Sequence, residues 1–125
     1  MNMKKEILLQ ELDSLIRTLD FIQEEQSFIK RKLSSFLDNK VMNDFVIWAE
    51  ELHQQILNRE TAVQLLRKDV SIFKNIMAGK LSILIQLDNN QKLLYKKFKE
   101  QVVYLEIEFI SWKNEADTTF ESAST

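Results

Sequence analysis

A single glycine and not one proline stand in a chain of 125 residues. Average usage would place roughly 9 glycines and 6 prolines in that length. Tight turns that need positive φ or a preset φ draw on those two residues, so few such turns can exist. Sandwiches, barrels and doubly wound sheets, with their many short connections, are excluded. A small number of long helices remains.

Apolar spacing shows where the helices run. Leu8, Leu12, Leu15, Leu19, Ile22, Gln26, Ile29, Leu33 and Phe36 recur in steps of four and three, a heptad seam with Gln26 as its one polar member. Met42, Phe45, Ala49, Leu52, Ile56, Arg59, Val63, Leu66, Val70, Phe73 and Met77 repeat the pattern, interrupted only by Arg59. Leu87, Gln91, Leu94, Phe98, Val102, Leu105, Phe109, Trp112 and Ala116 form a third seam. Its consecutive steps of four at Leu94, Phe98 and Val102 read as a stutter.

Breaks fall at Asp38-Asn39-Lys40, with Asn39 as a cap, and at Gly79, where a residue in the left-handed region would end a helix. Ser82 then caps the third helix, which places the helices near 3–38, 41–78 and 82–118. Asp88-Asn89-Asn90-Gln91 also reads as a capping box, and would start the third helix at 89 instead. Balanced lengths favour the Gly79 break. The expected fold is all-α: one antiparallel up-down-up bundle of three long helices over 1–118, with coiled-coil-like packing and a frayed tail at 119–125. Three-helix repeats of the spectrin kind share this architecture in shape.

Composition narrows the chemistry. Without cysteine there are no disulfides and no thiolate metal or redox sites. Seventeen basic and nineteen acidic side chains leave a net charge of −2, without the basic excess of a nucleic-acid-binding protein. Lys30-Arg31-Lys32 and Lys96-Lys97 with Lys99 are flanked by acids and read as solvated charge. The opening residues lack the apolar stretch of a signal peptide, and no run approaches the ~20 residues of a membrane span. The expected location is cytoplasmic.

His53 is the only histidine. Glu51-Leu52-His53 resembles the local pattern around the phospho-accepting histidine of one histidine-kinase dimerisation family, which implies phosphotransfer through His53. The chain departs from that family at Gln54, where an acid is usual, and lacks the Lys-Gly-Ser common after such a histidine. Glu50-Glu51-Leu52-His53 also holds Glu-x-x-His, half of a di-iron signature, but no second histidine exists to complete it. Reversals about residues 39 and 80 would bring Gln26 and Glu108 near His53, and Asp20, Glu24 and Glu106 within about a turn of Arg59. The simplest reading makes His53 a half-buried seam-edge residue and Arg59 a structural arginine with its stem along the core. With one glycine there is no phosphate-cradling loop. Neither enzyme activity nor a cofactor is expected.

The functional clue is apolar surplus. Ile7, Phe21 and Phe28 lie on one further stripe of the first helix, Leu65 and Ile72 on one of the second. Val103, Ile107 and Ile110 form an i, i+4, i+7 set on the third. Phe21 and Phe28 sit roughly 100° or more from the seam centre, beyond what two neighbouring helices cover. Burying one phenylalanine is worth about 1.5–3 kcal/mol, and closed two-fold dimers are the commonest way to do so. The sequence therefore predicts a non-enzymatic interaction module that forms a homodimer or docks a helical partner protein through Phe21, Phe28, Ile107 and Ile110. The alternative is a small signalling or phosphotransfer bundle acting through His53.

Overall fold

The computed structural model describes residues 5–38, 43–79 and 88–124. They form three long helices: α1 (Lys5–Asp38), α2 (Asn43–Ala78) and α3 (Asn89–Ser124). No strand occurs among the described residues. Asp13 pairs with Lys74, Asp20 with Arg67 and Lys30 with Glu60, so α1 and α2 are antiparallel. Glu11 meets Tyr95, Glu25 meets Lys113 and Lys32 meets Asp117, so α3 runs parallel to α1. This is the up-down-up bundle that the three seams predict.

Seam residues make the core. Leu8, Leu12, Leu19, Ile22 and Ile29 of α1 are fully buried against Ala49, Ile56, Val63, Val70 and Met77 of α2. Phe98, Val102, Phe109, Trp112 and Ala116 close the third side. Most of the close backbone approach is between α1 and α2. Larger side chains on the α3 seam hold that helix farther out.

The ends of α3 differ from the sequence expectation. Its first turn is a capping box: the Gln91 amide donates to Asp88 Oδ1 at 2.8 Å, and the Asp88 amide donates to Gln91 Oε1 at 3.1 Å. Each side chain thus satisfies a donor the helix would leave unpaired. The reciprocal cap starts α3 at Asn89, not at Ser82. Ser82, Leu87, Asn39 and Met42 lie outside the described residues. Gly79 ends α2 without a left-handed backbone: its amide continues the turn by donating to the Asn75 carbonyl at 3.1 Å.

The tail expected to fray at 119–125 is helical as far as Ser124. Phe120 is only 2% exposed and packs edge-on against Phe36 and Trp48, with ring centroids 5.6 and 5.1 Å apart. Phe36 also meets Phe45. This aromatic cluster closes the end of the bundle where α1 ends and α2 begins. The stutter at Leu94 also disappears. Leu94 is exposed and Tyr95 packs on the core in its place, which restores steps of three and four.

Two stability effects follow. Phe120→Ala should cost about 3 kcal/mol in chemical denaturation, the cost of truncating a buried phenylalanine; a loss below about 0.5 kcal/mol, usual for surface positions, would return the tail to solvent. Asp88→Ala should cost about 1 kcal/mol through the lost cap, and no change would place the start of α3 elsewhere.

Candidate interaction face

Two regions stand apart from the core: a polar layer between the helices, and an apolar strip along one outer face. The polar layer surrounds Arg59. Its guanidinium reaches Glu108 Oε1 at 3.0 Å and lies over the Trp112 ring, 4.8 Å from the centroid. The Trp112 indole donates to Gln55 Oε1 at 2.8 Å. Gln26 is buried and donates to Gln23 Oε1 at 3.1 Å. Gln26, Gln55, Asn58, Arg59 and Glu108 line a cavity of about 260 Å³ together with Ile22 and Val63. Each intruding charge has a partner, and the arginine stem lies along apolar side chains.

Three placements differ from the sequence expectation: the α1–α2 register, the α2–α3 register and the exposure of His53. Arg59 pairs with Glu108 of α3, whereas Asp20 pairs with Arg67 at 2.6 Å. The α1–α2 register thus lies two turns from the one that a hairpin about residue 39 implies. Gln26 and Glu108 consequently gather around Arg59 and not His53. His53 is exposed, not half-buried at the seam edge. No group of three or more potential metal ligands occurs among the described residues.

The α1–α2 side carries the charged rungs Asp13–Lys74, Asp20–Arg67 and Lys30–Glu60. The α1–α3 side carries the pairs Glu25–Lys113 and Lys32–Asp117 together with exposed aromatic and aliphatic groups. Phe21 is 54% exposed, Phe28 55%, Ile107 64% and Ile110 52%, with Val103 beside them. Register brings these residues together. The contacts Glu11–Tyr95 and Glu25–Lys113 join residues 84 and 88 apart in sequence, which sets Phe21 level with Ile107. Phe28 falls one heptad farther along, level with the turn after Ile110. On α1 the stripe lies just outside Glu11, Glu25 and Lys32, the residues that touch α3. On α3, Val103 and Ile110 lie on the flank shared with Lys113 and Asp117, toward α1. All four residues singled out in the sequence are more than half exposed, Phe21 level with Ile107 and Phe28 a heptad beyond; Ile107 also lines an open pocket with Gln55 and Arg59 of α2.

A second groove lies on the α2–α3 side, which sequence reading did not single out as a site. Leu65, Ala62, Tyr104, Lys97 and Asp69 line a volume of about 500 Å³. Leu65 and Ile72 of the α2 stripe are exposed. The Tyr104 phenol is held above its ordinary range mainly by its hydrogen bond to Glu108, then by the charge of that carboxylate. Charged and polar groups interrupt this groove, as the pairs Glu25–Lys113 and Lys32–Asp117 do between α1 and α3.

Tyr95 marks the inner edge of α3. Its hydroxyl donates to Glu11 Oε2 at 3.2 Å, and burial first, then the Glu11 charge, push its ionisation upward. An unfolded tyrosine ionises near pH 10. The stabilisation linked to Tyr95 is therefore complete below about that pH and is lost as pH rises through the higher folded value. Thermal unfolding followed from neutral to strongly alkaline pH should show a shallower alkaline loss in Tyr95→Phe than in the parent chain. Identical slopes would remove Tyr95 from the α1–α3 contact.

Comparison of the chain with known protein families, curated proteins and solved structures gave no match.

Proposed function

We propose that the protein is a non-enzymatic interaction module whose docking face is the α1–α3 strip of Phe21, Phe28, Val103, Ile107 and Ile110. One observation carries this reading: two phenylalanines of α1 and two isoleucines of α3 are each more than half exposed, with Phe21 level with Ile107. Scattered surface apolar residues are ordinary, but a contiguous apolar strip marks an interaction site. Phe21 and Phe28 are the two exposed aromatic side chains of α1, and Val103, Ile107 and Ile110 are exposed together on α3.

Such a module works by presenting a rigid, preformed surface. Two long helices held side by side offer a shallow groove into which a third amphipathic helix can lay its apolar face. Aromatic anchors with few rotatable bonds lose little entropy on binding, and phenylalanine suits that role at the centre of a strip. No covalent step is involved.

The test is photo-crosslinking in the cells that make the protein. A benzophenone amino acid in place of Phe21 should give an adduct, with a second copy or with another polypeptide. The same probe in place of the exposed Gln64 on α2 should give none. Adduct formation should disappear when Phe28→Glu and Ile110→Glu are added while helix content stays native. Equal labelling from both positions, or none from position 21, would refute a docking face on the α1–α3 side.

A further inference from the structure

We infer that the occupant of the α1–α3 strip is a second copy of this chain, packed with the two α3 helices antiparallel about a two-fold axis at Ile107. The inference rests on the docking face proposed above and names what covers it.

The outward side of α3 carries a heptad seam of its own. Lys96, Glu100, Val103, Ile107, Ile110, Asn114, Asp117 and Glu121 recur in alternating steps of four and three, on the side away from Phe98, Val102, Phe109, Trp112 and Ala116. Val103, Ile107 and Ile110 occupy its middle and are all exposed. An isolated three-helix bundle needs only one seam per helix, and among the described residues this second apolar segment stays about half exposed or more, with Ile107 bordering an open pocket beside Gln55 and Arg59.

Charge along α3 is split about the same centre. Its first third holds Lys92, Lys96, Lys97 and Lys99 with one acid, Glu100. Beyond Ile107 come Glu108, Glu115, Asp117 and Glu121 with one base, Lys113. Two α3 helices packed in parallel would set lysines beside lysines and acids beside acids. An antiparallel pair centred on Ile107 reverses this. Ile107 then meets its own symmetry mate, Val103 meets Ile110, Lys96 faces Asp117 and Glu100 faces Lys113. The match at Ile107 lies on the axis and each of the others occurs twice, as a two-fold interface requires. Polar pairs of this kind fix partner and orientation, while the apolar centre supplies the attraction.

The charges involved are held only loosely within one chain. Lys96 lies 3.9 Å from Glu100 and Lys32 lies 3.8 Å from Asp117, with all four side chains substantially exposed. Lys113 reaches Glu25 at 3.4 Å. Exposed pairs at such distances are worth little and can be shared with an incoming charge. Phe21 and Phe28 wall the strip on the α1 side, so the partner helix would cover them as well.

Single-cysteine crosslinking tests the pairing directly, because the chain has no cysteine of its own. Only positions meeting across the axis come within the ~4.4–6.8 Å Cα separation that a disulfide needs. Under mild oxidation Ile107→Cys alone should give a covalent dimer. Val103→Cys alone and Ile110→Cys alone should not, whereas a mixture of the two should. Helix content of each variant, measured by circular dichroism, should match the parent. Self-linking of Val103→Cys with no mixed product would overturn the antiparallel pairing. A parent chain monomeric in sedimentation, with an adduct to a different polypeptide from position 21, would overturn the second copy and leave the docking face standing. Absence of any adduct would overturn both.

Discussion

The rest of the structure depends on the packing of the α1 seam into the α2 seam. Leu8, Leu12, Leu19, Ile22 and Ile29 are removed from water by Ala49, Ile56, Val63, Val70 and Met77, and the backbones of these two helices approach most closely. At about 25 cal/mol per Å² of apolar surface, such burial is the largest favourable contribution in a bundle of this size. The rungs Asp13–Lys74, Asp20–Arg67 and Lys30–Glu60 add little energy, being partly solvated, but they select a register. A slip of one heptad would keep the seams together and break all three.

Against that pair, α3 is a different kind of element. Bulky side chains form its inner seam: Phe98, Phe109, Trp112 and Phe120. They fill the groove between α1 and α2 from farther away, and Arg59 spans part of the gap to Glu108 beneath Trp112. A helix held off by large side chains leaves open flanks. On the α2 side the flank is a groove mixed in character, with Lys97 and Asp69 beside Leu65. On the α1 side it is the strip of Phe21, Phe28, Val103 and Ile110. Fold and proposed function thus meet in one helix, which closes the core with its inner seam and faces outward with a second.

Much of this was legible in the sequence, and each departure from it has its own physical cause. Period alone identified the inward residues of α1 and α2, because burial in a bundle is set by helical phase. Phase also placed Phe21, Phe28, Ile107 and Ile110 on the surface. What phase does not contain is length of connection. The register between helices depends on where each chain reversal falls, and an error of two turns moved Asp20 from Arg59 to Arg67 and Glu108 from His53 to Arg59. The start of α3 was misjudged because equal helix lengths were weighed above local hydrogen-bond chemistry, although Asp88 and Gln91 stood at capping-box spacing. The tail was misjudged because Thr118 and Thr119 look like a helix end, while the decisive residue, Phe120, lies four places after Ala116 and belongs with Phe36 and Trp48. The α2–α3 groove had no sequence signal of its own, since it arises from the outward position of α3.

The central claim is that the α1–α3 strip is covered in the assembled protein while the other exposed apolar residues are not. Hydroxyl-radical footprinting as protein concentration is raised from about 1 µM to about 100 µM, the range of weak to moderate association, tests it most directly. The account predicts falling oxidation of Phe21, Phe28, Ile107 and Ile110 together, with Leu57 on α2 and Leu65 in the α2–α3 groove unchanged. Constant labelling of all six, or protection that develops at Leu65 and spares Phe21, would contradict it.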